Sequence, residues 1–137
     1  MKVISMNDSD NNLAKLAEDI AKTAYAPYSK FRVGAALITS SGNIYTGCNI
    51  ENAYYPAKVC AEDVAVFKAI SEGETKIETL AVACIDADEH PIFPCVVSRQ
   101  RMSEFGTENV NVVHKGESKK YTFEEVLPFD NKIKFTD

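Results

Sequence analysis

Several things that a protein chain can carry are missing from this one, and each absence removes a class of function. The longest apolar runs among the 137 residues fall far short of the roughly 20 that a membrane-spanning helix needs. Lysine and arginine do not concentrate anywhere: 15 basic against 20 acidic residues leave a formal net charge of -5, and Lys119-Lys120 is only a pair. A nucleic-acid surface would need a basic face or stripe, so no nucleic-acid partner is expected. A secretory leader is not expected either, because MKVISMNDSD turns polar by its seventh residue. The expectation is a cytoplasmic protein with no membrane contact. No repeat, low-complexity tract or linker interrupts the sequence, and residues 1–137 are expected to form a single domain.

The residues that are present describe an ordinary soluble globular chain, 45% apolar and 26% charged. A domain of this size buries about two-thirds of the surface that its unfolded chain exposes, which is enough for one core. Four cysteines, Cys48, Cys60, Cys84 and Cys95, are widely spaced. In a reducing compartment such thiols are more often buried, metal-bound or catalytic than disulfide-bonded. A reading as small core hydrophobes suits Cys48 and Cys84, which lie inside strand-like segments, better than Cys60 and Cys95.

Periodicity predicts a first helix from about Asn11 to Ala24, with Leu13, Leu16, Ile20 and Ala24 on one face and Asp8 or Asp10 as its cap. A hairpin is predicted from Phe31 to Ile50, turning at SSGN, and the loop ENAYYPAKV follows. A second helix begins near Cys60, repeats apolar residues at Val64, Phe67 and Ile70, and stops at Gly73. IETLAVACID reads as a central strand, and a polar loop with His90 leads to a short helix, CVVSRQRMSEFG, ended by Gly106. VNVVHK and KKYTF read as the last strands, and Thr122 with Glu125 forms a capping box for a final short helix. This order predicts an α/β fold, a three-layer α/β/α sandwich with one mixed five-stranded sheet.

Cys60 and Cys95 both fall at predicted helix N-termini, where the partial positive charge favours thiolate and so metal ligation. Catalytic zinc commonly takes three protein ligands and leaves a fourth position for water. Glu62, two residues after a candidate ligand, is placed to handle that water's proton. The zinc deaminases pair such a Cys-x-Glu with a later Pro-Cys-x-x-Cys. Here Cys60-Ala61-Glu62 is followed by Pro94-Cys95-Val96-Val97-Ser98, and the second cysteine is missing.

From AYAPYSKFRVGAALIT through GNIYTGCNIENA, CAE and FKAISEG to SRQ, MSEFG and FEEVLP, the chain resembles the small homotetrameric cytidine deaminases along nearly its whole length. The resemblance implies a cytidine deaminase-like fold and hydrolytic deamination of cytidine or deoxycytidine, or a related pyrimidine nucleoside, by a metal-activated water. It implies one zinc ion per subunit with Cys60 and Cys95 as ligands and Glu62 as proton shuttle. It also implies that Asn49 and Glu51 hold the ribose hydroxyls, that Phe31 stacks near the base, and that Tyr55 and Ala61 line the pocket. The partners implied are a small pyrimidine nucleoside and three further copies of the chain. Taken singly, Phe31 also reads as core, Asn49 as a turn residue and Glu62 as a first-turn carboxylate favoured by the helix dipole.

Three departures touch the working parts. Ser98 stands where the third zinc ligand belongs, and a neutral hydroxyl is a poor substitute for a thiolate. Asp63 stands where the family has an arginine that offsets the charge of its thiolates; one turn from Cys60, its carboxylate is a candidate replacement ligand. His90 is a further candidate donor. Asn131 takes the place of an aromatic that reaches a neighbouring pocket, a role left to Phe129 or Phe135, and Val96-Val97 add bulk where the family has Gly-Ala. Two readings follow: an enzyme with an altered metal site, and a relative that binds a nucleoside without zinc chemistry.

Overall fold

The computed structural model describes residues 7–133. Five strands, β1 Val33–Thr39, β2 Ile44–Cys48, β3 Ile77–Cys84, β4 Asn109–His114 and β5 Glu117–Thr122, form one sheet in the order β2-β1-β3-β4-β5. β3 and β4 run parallel and the other neighbours are antiparallel, so the sheet is mixed. Among the described residues four helices accompany it, α1 Asp8–Ala21, α2 Ala61–Ser71, α3 Val96–Glu104 and α4 Phe123–Val126, with one 3-10 turn at Tyr55–Ala57. A parallel pair needs a crossover, and α3 lies on the connection from β3 to β4.

The side chains of β1 divide between two cores. Ala35 and Leu37 pack with Ala65, Val66 and Met102 beneath α2 and α3, and Ala36 packs with Leu13 and Ala17 beneath α1. β3 is buried on both faces for the same reason, which explains its almost unbroken apolar run. Three layers result.

α1 starts earlier than expected and ends earlier. Asn7, not Asp8 or Asp10, is its cap: Asn7 Oδ1 accepts the Asp10 N–H at 2.8 Å, and Asp10 Oδ2 accepts the Asn7 N–H at 3.1 Å. The helix stops at Ala21 because Tyr25 is drawn into a bridge, its N–H on Asn49 O at 3.0 Å and its carbonyl on the Glu51 N–H at 2.8 Å.

α2 begins where expected, with Cys60 as N-cap, but it buries a different face. Ala61, Ala65, Val66 and Ala69 turn inward, and Phe67 is 49% exposed. The small face wins because α2 lies close against β2: a Cβ on Gly47 would come within 2.6 Å of both Ala61 O and Ala65 N. On the opposite face of the sheet, a Cβ on Gly34 would overlap Ala17 O. Two glycines therefore let the helices on either side approach the sheet closely.

Candidate active site

The N-termini of α2 and α3 meet at the C-terminal edge of the parallel strands. Cys60 and Cys95 are the respective N-caps, and their Sγ atoms are 2.7 Å apart. Both are free thiols, closer than two uncharged sulfurs pack. Among the described residues, Cys60, Glu62 and Cys95 bring ligand-type atoms within 4.8 Å of one another. The Cys95 thiol hydrogen-bonds to Cys60 and pulls its pKa down to about 6; Ser98 and the charge of Lys58 act in the same direction against burial. Cys95, which keeps the shared proton, is raised.

Glu62 is 2% exposed, and its Oε2 accepts the Cys95 N–H at 3.1 Å. Burial first, and the nearby Cys60 charge second, push its carboxyl up to about 7. A carboxyl that titrates near neutrality is suited to giving and taking protons.

Ser98 is 1% exposed, and its Oγ has no complete hydrogen bond within the chain. It faces the Cys60 thiol from the first turn of α3. Asp63 is also buried, but it lies outside the Cys60, Glu62 and Cys95 group: its Oδ2 accepts from Arg101 Nη1 at 2.8 Å and from the Cys60 N–H at 3.4 Å. The expectation that Asp63 replaces the missing ligand therefore has no support in this geometry, because its carboxylate is drawn away to Arg101. His90 is exposed on the loop before α3 and is not among the clustered residues.

A cavity of about 210 Å³ opens over these groups and is lined by Phe31, Asn49, Glu51, Tyr55, Ala61 and Glu62, together with both thiols. Phe31 is 49% exposed and faces this cavity, not the core. Asn49 closes the start of β1, with Oδ1 accepting the Val33 N–H at 2.8 Å and Nδ2 donating to Phe31 O at 2.9 Å. Glu51 Oε1 accepts the N–H groups of Tyr28 and Ser29, and the hydrogen bonding with Ser29 lowers its pKa against the effect of burial. Ile92 and Phe93 form another wall. Lys58, which holds its Nζ 4.6 Å above the Tyr55 ring, also lines the cavity. Sequence reasoning missed Lys58 because it sits in an irregular loop where no period marks a face.

The last described segment is held to α3 by Gln100, which exchanges hydrogen bonds with the Asn131 backbone, and by Ser103 on Asp130. Phe129 is fully exposed there, and Phe135 lies outside the described residues.

Residues 7–114 match the family described as "Cytidine and deoxycytidylate deaminase zinc-binding region". The chain belongs to this deaminase family. A cytidine deaminase of Sporosarcina psychrophila is 45% identical over 108 residues, covering 77% of this chain and 78% of the relative. One of Halalkalibacterium halodurans is 40% identical over 119 residues, covering 85% and 89%. The crystal structure of cytidine deaminase from Burkholderia pseudomallei superposes with a TM-score of 0.81 at 36% identity, covering 92% of this chain and 100% of that one.

Zinc is the cofactor of this deaminase family, and the residues present suit it. Two thiols sit at positive helix ends, and one of them ionises readily. The Ser98 hydroxyl is buried, faces the Cys60 thiol and completes no hydrogen bond within the chain, so it remains free as an oxygen donor beside them. Soft sulfur ligands with one oxygen suit zinc better than the hard alkaline-earth cations.

Proposed function

We propose that the protein hydrolytically deaminates cytidine or deoxycytidine, giving uridine or deoxyuridine and ammonia. The observation that carries this reading is the buried Glu62 carboxyl, pushed up to about 7 beside the paired thiols of Cys60 and Cys95 in the lining of the cavity. Cys60, Cys95 and Ser98 would hold the zinc ion, and Asp63 is left out of that set. When bound, the zinc supplies Lewis-acid activation of the attacking water. Glu62 takes one proton from that water as its oxygen bonds to carbon 4 and delivers it to the ring nitrogen; it then moves the remaining proton of that oxygen to the amine, which leaves as ammonia when the carbon–nitrogen bond breaks.

The remaining residues bind and orient. Phe31 stacks on the base from the cavity side, while Tyr55, 71% exposed, lines the mouth and Ala61 the wall. Glu51 has Oε2 available for a ribose hydroxyl because the Tyr28 and Ser29 N–H groups both engage Oε1. Asn49 has one amide hydrogen left after its bond to Phe31 O. The reading extends to residues 1–137 acting as one domain, in a cytoplasmic homotetramer whose contacts cover the exposed Phe67, Val96 and Val97.

The test is ammonia release from cytidine and deoxycytidine by purified protein, with and without added zinc. Zinc-dependent release is expected, reduced about 10²- to 10⁴-fold by Glu62→Ala. Retained nucleoside binding with no release under either condition would overturn catalysis and leave the second reading, which rests on Ser98 standing in for a thiolate.

A further inference from the structure

We propose that Arg101 is a positioning residue that sets how the two thiol-bearing helix ends meet, acting through Asp63. The inference rests on the reading above that Cys60 and Cys95 hold the metal. Each thiol is carried by the N-cap residue of its helix, so the separation and tilt of two helix N-termini fix the sulfur pair. Arg101, on α3, grips α2 at two points. Its Nη1 donates to Asp63 Oδ2 at 2.8 Å, and its guanidinium lies 5.6 Å from the centre of the Phe67 ring. Asp63 and Phe67 are four residues apart and so share one face of α2.

The link continues past Asp63. The oxygen that takes the Arg101 hydrogen bond also accepts the Cys60 backbone N–H at 3.4 Å, so the first turn of α2 is closed by the same carboxylate that α3 holds. Asp63 is 3% exposed, and its other oxygen, Oδ1, is buried without a partner. Arg101 is thus the cation that makes this buried carboxylate tolerable, and through it α3 is joined to the backbone of the Cys60 ligand. On the Arg101 side, Ser98 lies one turn back on α3, so the third corner of the metal site moves with the same clamp. Groups that orient metal ligands from outside commonly contribute about 10- to 100-fold in metal affinity when removed.

The full chain, stripped of metal by a chelator, would be titrated with cobalt(II), following the thiolate-to-cobalt absorption band. Arg101→Ala should weaken cobalt binding about tenfold or more and shift the band, and Arg101→Lys should restore part of the affinity. Asp63→Asn combined with Arg101→Ala should bind no more weakly than Arg101→Ala alone, because both changes cut one link. The pair also guards against misfolding, since it leaves no orphaned buried charge. Wild-type cobalt affinity in that double variant would overturn the proposal. So would a lowered melting temperature of the metal-free Arg101→Lys protein with affinity and band unmoved, the mark of a merely structural contact. Unchanged cobalt uptake by Cys95→Ser would refute the ligand reading itself and the proposal with it, a result distinct from failure at Arg101 alone.

Discussion

At Glu62, burial moves the carboxyl from an ordinary 4.5 up to about 7, and the shift carries a stability consequence. Between those values the folded metal-free protein keeps a proton that the unfolded chain has released. Stability therefore falls as pH rises through the window, by about 3 kcal/mol once the change is complete. Glu62→Gln cannot ionise, so the unfolding free energy of the variant should overtake that of the wild type progressively from pH 4.5 to 7. The low pKa of Cys60 acts in the opposite sense, its contribution being lost as pH falls through about 6, but both proteins share it. Parallel stability curves for the two would contradict the buried carboxyl. Ser98→Cys tests the other anomaly of the site: a third thiolate should tighten zinc binding at least about tenfold in competition with a chromophoric chelator, and no gain would mean that Ser98 does not occupy the ligand corner. Cys60, Glu62 and Cys95 were legible in the sequence because their chemistry is tied to a spacing. The partnership of Asp63 with Arg101 was not, because it joins side chains 38 positions apart whose only signal is opposite charge.

For the elements, the informative position is Gly47, where β2 runs under the first turn of α2. A methyl group there meets backbone atoms at 2.6 Å, and neither partner can rotate away. Gly47→Ala should cost about 1–3 kcal/mol in chemical denaturation and also weaken metal binding, because the helix end that yields is the one bearing Cys60 and Glu62. Gly42→Ala serves as the comparison: its positive φ makes it strained, but the turn is open and remote, so metal affinity should be unchanged. If both variants behaved alike, the close approach at Gly47 would have no bearing on the site. The start of α2 at Cys60 and its stop before Gly73 followed from cap and breaker residues. Its inward face did not, because hydrophobicity pointed to Val64, Phe67 and Ile70, whereas the tight approach to the sheet favours the small side chains of Ala61, Ala65 and Ala69, with Val66 beside them. The start of α1 was misjudged for a related reason: the Asn7 and Asp10 exchange is a geometric match that residue types alone only permit.

Over the whole molecule, Phe67, Val96 and Val97 stand 49%, 70% and 62% exposed beside the clamp, a concentration of apolar surface that favours association. Sedimentation of purified protein is expected to show a species larger than the 15.1 kDa chain, and Val97→Glu should shift it to smaller species without loss of helix. A wild-type protein that sediments as a monomer at micromolar concentration would remove the case for subunit contacts at this face. The fold was readable at this scale because β3 is apolar but for Glu78 and Thr79 and the hairpin and helices around it alternate clearly. Which faces remain uncovered depends on packing that no local pattern encodes.

The contact between Cys60 and Cys95 also makes the protein answerable to oxidation. If Cys60 and Cys95 hold the metal as proposed, both sulfurs are committed while it is bound. Without metal, hydrogen peroxide can take the two thiol hydrogens and leave as water, joining the sulfurs in a bond and closing the site to zinc. A chelator-treated sample kept with peroxide should lose two titratable thiols and all metal uptake, and recover both with a dithiol reductant; four thiols still reactive after such treatment would exclude this chemistry. For this chain, zinc would then be a protecting group as well as a reagent, and the history of a preparation would be recorded in two sulfur atoms.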